Sequence, residues 1–99
     1  MFLSVSVLYV GHRALCANIT TSGSVAIGKE ALRNNVQNNN TAVGHLASQG
    51  NTSGDCNVAI GFEALCANQT GGGQTAVGSE ALKTTTGVQN TGVGHRAMC

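Results

Sequence analysis

One short phrase recurs six times in this 99-residue chain, in the stretches Val7 to Cys16, Ser24 to Arg33, Asn40 to Gln49, Asn57 to Cys66, Gln74 to Lys83 and Asn90 to Cys99. It reads N-T/V-A-I/V-G-x-x-A-L. The anchoring glycines are Gly11, Gly28, Gly44, Gly61, Gly78 and Gly94, so successive copies are 17, 16, 17, 17 and 16 residues apart. So short a period is the signature of a solenoid, because one copy cannot bury an apolar face alone and must stack on its neighbours. Fourteen glycines, no proline or tryptophan, and 3% aromatic residues leave little for a conventional globular core, which supports the same reading.

Within the phrase, side chains alternate as on a strand. One face carries Asn40, Ala42 and Gly44 and their equivalents, small enough to line a narrow coil. The other carries β-branched pairs: Val25 and Ile27, Thr41 and Val43, Val58 and Ile60, Thr75 and Val77, Thr91 and Val93. That second face suits packing against a neighbouring chain. A second apolar segment follows each glycine, as in Ala31-Leu32, Ala64-Leu65 and Ala81-Leu82, and runs rich in Asn, Thr, Ser and Gly close each coil with turn chemistry. The post-glycine segment is too short for more than one helical turn. The expected fold is therefore all-β: a parallel β-solenoid, or β-roll, of six 16–17-residue coils in a single domain over residues 1–99. The apolar opening Met1 to Val10 lacks a basic leader and a cleavage site and runs into Gly11 in repeat phase, so it reads as a degenerate first coil. Each coil offers few large apolar side chains against the entropy of ordering its backbone, which favours association of several chains.

Asn57-Val58-Ala59-Ile60-Gly61 and Ser24-Val25-Ala26-Ile27-Gly28 resemble the S-V-A-I-G phrase of trimeric autotransporter adhesin heads. Asn40-Thr41-Ala42-Val43-Gly44 resembles the T-A-V-G-x-x-A-L repeats of phage and giant-virus fibre proteins. The resemblance covers nearly the whole chain, although the repeat here is longer than that of the heads. It implies a left-handed roll, a homotrimer, and an oligomer core formed by Ile27, Val43, Ile60, Val77 and Val93.

Other residue columns carry weaker signals. His12, His45 and His95 follow their repeat glycines, but no carboxylate or thiol shares their column, so a metal site is not expected. Glu30, Glu63 and Glu80 share the next column and read as a solvated face rather than an acid–base pair, with no basic partners in view. Gly71-Gly72-Gly73 lacks the ending of a phosphate loop. Cys16, Cys66 and Cys99 share a column without zinc-type spacing. In a head-to-tail stack, Cys16 of one chain and Cys99 of the next would lie one coil apart, about 4.8 Å, which permits an inter-subunit disulfide. N-x-S/T sequons occur at Asn18, Asn39, Asn51 and Asn68.

A net charge of +1 from scattered residues gives no footprint for nucleic acid, and no stretch approaches the ~20 apolar residues of a membrane span. The expected role is a structural or adhesive segment of an extracellular, cell-surface or virion fibre. Its partners would be further copies of itself, as a trimer or filament, and a surface receptor or glycan. Neither a cofactor nor enzymatic activity is expected. The column Thr41, Thr75, Thr91, interrupted by Val25 and Val58, raises an ice-binding solenoid as the alternative.

Overall fold

The structure, a computed structural model, describes residues 8–14, 23–35, 38–85 and 87–98. Each copy of the phrase contributes one three-residue strand: β1 (Leu8–Val10), β2 (Val25–Ile27), β3 (Thr41–Val43), β4 (Val58–Ile60), β5 (Thr75–Val77) and β6 (Thr91–Val93). All six form one parallel sheet in chain order. The register keeps the repeat in phase, with Val25, Thr41, Val58, Thr75 and Thr91 paired in succession and Ile27, Val43, Ile60, Val77 and Val93 paired two residues on. Sequential parallel neighbours one period apart make the chain a β-solenoid.

The alternation expected from the sequence holds. Ala26, Ala42, Ala59 and Ala76, the middle residues of β2 to β5, are completely buried, while their flanking residues face outward. In β1 the equivalent residue is Tyr9, which is exposed together with Leu8 and Val10. A phenol does not fit a lumen sized for methyl groups, so this first strand departs from the pattern of the other five.

After each strand comes a glycine in a conformation that side chains rarely adopt. Gly61 has φ +131°, and a Cβ built there would lie 2.5 Å from the carbonyl oxygen of Gly78, the equivalent glycine one coil on. Gly78 has φ +132° and the same relation to Gly94. Both the positive φ and the close backbone approach demand glycine here.

The x-x-A-L segment is neither helix nor strand but a chain of tight turns. In the β2 coil, Ala31 N–H donates to Gly28 C=O, Arg33 N–H to Glu30 C=O and Asn35 N–H to Leu32 C=O, at 3.1–3.2 Å. Glu30 and Leu32 lie at φ 60° and 50°, as do Glu63 and Leu65 (58° and 53°) and Glu80 and Leu82 (61° and 48°). A leucine at positive φ is an unusual sight, with a cost on the order of 1 to 3 kcal/mol. Two gains offset it. The leucine side chain enters the lumen, where Leu32, Leu65 and Leu82 are fully buried. The backbone N–H groups of the same segment also point alternately up and down the solenoid axis: Glu30 bonds back to His12 C=O at 2.7 Å, and Leu32 bonds forward to Ala47 C=O at 3.0 Å. Each coil is thereby stapled to both neighbours on the wall opposite the sheet.

The rest of the lumen is polar. Asn40 Nδ2 donates to Asn35 Oδ1 and to Gly54 C=O, both at 2.9 Å, and Asn51 Nδ2 donates to the same two acceptors at 2.8 and 2.9 Å. One coil further on, Asn57 and Asn68 share Gly71 C=O in the same way. The carboxamides also run along the axis. Asn40 Oδ1 accepts the Asn57 backbone N–H and Asn57 Oδ1 accepts that of Gln74, each at 3.0 Å. Asparagines placed by their composition in turns are thus a buried ladder, and all of Asn35, Asn40, Asn51, Asn57, Asn68 and Gln74 are at most 1% exposed.

Candidate functional site

The outer face of the sheet is the part of the surface built most regularly. Because strand alternation turns every alanine inward, the β-branched residues on either side of it must point away from the lumen. Ile27 and Ile60 are 38% and 39% exposed, Val43 and Val77 are half-buried, and Val93 on the last strand is 68% exposed. Val25, Thr41, Val58 and Thr75 form a parallel half-buried column beside them, and Thr91 is exposed. The two columns contain no charged side chain. This places the five residues expected at an oligomer core, Ile27, Val43, Ile60, Val77 and Val93, in one straight outward row of this chain.

A charged ladder runs along the turn wall. Lys83 Nζ lies 2.9 Å from Glu63 and 3.2 Å from Glu80, and Arg96 Nε lies 2.8 Å from the other Glu80 oxygen. The glutamates therefore do have basic partners, contrary to the expectation from sequence. Lys83 sits three residues past Glu80, so the turn chain brings both to one face, and the stacking of coils adds Glu63 and Arg96. Hydrogen bonds from Arg96 and then Lys83 hold the Glu80 carboxyl down to about 2, and its hydrogen bonds to Glu63 and Glu80 push the Lys83 ammonium up. Glu30 has its own partners: Gln49 Nε2 donates to it at 2.8 Å, and Arg33 lies 3.5 Å away. With each carboxylate engaged by a cation or an amide, the ladder fastens coils together and leaves no free acid–base pair.

The remaining candidates stand apart. His12, His45 and His95 are exposed, and His45 packs against Phe62 with ring centroids 5.5 Å apart. Among the described residues no group of three potential ligands could hold a metal ion. Cys56 is exposed and Cys66 is half-buried, its thiol pushed up by burial and by Glu63 against the opposing effect of Lys83. Cys16 and Cys99, the expected inter-subunit disulfide, lie outside the described residues, as does the sequon at Asn18. Of the other sequon asparagines, Asn39 is exposed, whereas Asn51 and Asn68 are buried in the amide ladder. Among the described residues there is no pocket, and no helix long and apolar enough to cross a membrane.

Sequence reasoning missed the amide ladder and the ion ladder. A signal for the first was present, since Asn40, Asn57 and Asn90 share one repeat phase and Asn51 and Asn68 share another. No family model, curated protein or solved structure matches the chain.

Proposed function

We propose that this chain is a rigid structural and adhesive segment of an extracellular, cell-surface or virion fibre, in which three left-handed copies of a six-coil roll associate through their outer sheet faces. The observation that carries this reading is the uncharged outward row of Ile27, Val43, Ile60, Val77 and Val93, set against a lumen filled by alanine, leucine and carboxamides. The larger β-branched groups are thus left outside, where association with like faces removes them from water. Rings of three such residues per coil would add a second apolar core to the narrow one of alanine and leucine inside each roll. In the same reading, head-to-tail stacking of rolls in repeat phase would extend the sheet into filaments, and exposed turn residues would meet a receptor or glycan.

Mass measurement of the purified chain by light scattering tests the association. The expected result is three chain masses, falling to one for Ile60→Asp, which places a carboxylate in the proposed core. A monomeric wild-type chain at micromolar concentration contradicts the trimer. The outward Thr41, Thr75 and Thr91 favour a second reading, an ice-binding face, over an enzyme. Thermal hysteresis from a monomer, abolished by Thr75→Lys, would select that reading.

A further inference from the structure

The geometry points to Asn39 as a carrier of an N-linked glycan in the folded protein, with the sequons at Asn51 and Asn68 structurally closed to the same modification. All three have the acceptor pattern, as Asn39-Asn40-Thr41, Asn51-Thr52-Ser53 and Asn68-Gln69-Thr70, so sequence alone treats them alike. Their places in the coil separate them.

Asn51 and Asn68 point into the lumen and are 0% exposed. Asn51 Nδ2 donates to Asn35 Oδ1 and to Gly54 C=O, and its Oδ1 accepts from Asn68 Nδ2 at 3.3 Å. Asn68 Nδ2 donates also to Gly71 C=O at 3.0 Å, and its Oδ1 accepts from Gly71 N–H at 3.2 Å and Gln74 Nε2 at 2.8 Å. Glycosylation replaces one Nδ2 hydrogen by a sugar ring. In either residue both hydrogens are engaged, and the lumen around them has no room for a saccharide. A chain modified at Asn51 or Asn68 before folding cannot close that coil, so such chains are absent from the folded population.

Asn39 lies at the opposite extreme. It is exposed at the corner that leads into β3, at φ 62°, a left-handed conformation that asparagine accepts better than most residues. Its Oδ1 rests over Gly23, one coil back, where a Cβ would strike it. No described residue holds its Nδ2. A glycan there projects into solvent and leaves the lumen packing intact, and Asn39 precedes the outer face rather than lying in it. The donor is a lipid-linked oligosaccharide. The bond from the sugar C1 to its pyrophosphate oxygen breaks, the bond from C1 to Nδ2 forms, Nδ2 loses one proton, and the lipid pyrophosphate leaves with the electron pair. The product keeps one Nδ2 hydrogen and the Oδ1 acceptor. This inference does not depend on trimer formation, only on passage through a compartment holding that donor and its transferase.

The experiment is secretion of the full chain from eukaryotic cells, with an acceptor sequon in an appended tail as proof that the transferase acts on it. Site-resolved peptide mapping of the folded, soluble fraction then reads occupancy. The expected result is a glycan at Asn39 in most chains, removed by peptide N-glycosidase, and bare Asn51 and Asn68. Thr41→Val should abolish the Asn39 glycan without disturbing the coil, because Val25 and Val58 already occupy that position in neighbouring coils. A bare Asn39 alongside a modified tail, or a glycan at Asn51 or Asn68 in folded chains, overturns the proposal. Light scattering of the same material tests the trimer separately.

Discussion

The lumen of this solenoid is divided between two chemistries that respond differently to damage. Near the sheet and the turn wall it is filled by Ala59, Ala64 and Leu65 and their equivalents, which touch without directional bonds. Beyond the turn wall it is filled by Asn51, Asn57 and Asn68 and their equivalents, each of which donates and accepts defined hydrogen bonds. Truncating an apolar side chain leaves a gap that neighbours partly refill. Removing a carboxamide from the ladder leaves buried donors with nowhere to turn, and those carry the full desolvation cost. The second half therefore specifies register more strictly than the first, since a slip of one residue would unpair every rung.

Leu65 and Asn68 lie in the same coil, joined by a backbone hydrogen bond from Asn68 N–H to Leu65 C=O at 3.2 Å, so they allow the comparison to be broken directly. Asn68→Leu, close in size, orphans Gly71 N–H and the Gln74 carboxamide, and should cost about 3 to 5 kcal/mol by denaturant unfolding. Leu65→Ala should cost about 2 to 4 kcal/mol. If Leu65→Ala proves clearly the more damaging, the amide ladder is not the stricter half.

Ser48 sharpens the contrast, because it stands where the other coils have Leu32, Leu65 and Leu82 and its buried hydroxyl has no hydrogen-bond partner among the described residues. It brings a polar group into the apolar half without bringing its ladder. Ser48→Leu, which has the same positive φ to adopt as its neighbours, should raise stability by about 1 to 2 kcal/mol through removal of the orphan hydroxyl and added burial. A fall in melting temperature would mean that the coil has already contracted around serine.

The smallest effect is expected on the outside, at the ion ladder. The folded Glu80 carboxyl is held at about 2 against an ordinary value of 4.5. The stabilisation is therefore present above about pH 4.5 and is lost as the pH falls toward 2. Glu80→Gln should flatten the acid limb in that window at low salt by slightly lowering the melting temperature of the neutral plateau, leaving stability near pH 2 nearly unchanged. An acid limb identical to that of the wild type would assign it to other carboxylates.

Much of the fold was legible because a period of 16 or 17 residues leaves few arrangements open. The strand alternation in T-A-V and the inward alanines followed from side-chain geometry alone. Other features were hidden by chemistry that is ambiguous along the chain. Asparagine next to threonine and glycine reads as a turn, and Asn35 and Asn51 do close coils, but their carboxamides point inward. Whether a polar side chain is solvated or buried depends on partners such as Asn35 Oδ1, which stacking brings to Asn51 from 16 residues away. The pairing of Lys83 with Glu63 was hidden for the same reason, since 20 residues separate them in sequence and 2.9 Å in space.

By itself, then, the sequence determined the solenoid, the phase of its six strands and which side chains face out, because these follow from a periodic pattern and local backbone sterics. Only the tertiary structure decided that the x-x-A-L segment is a chain of turns with leucines at positive φ, that the asparagines form a buried ladder, and that Asn39 alone of the three described sequon asparagines is exposed. Local bonds close the turns, but bonds between coils complete these features. An N–H, a carboxamide or a carboxylate finds its partner one period away, where no local reading of the chain can see it.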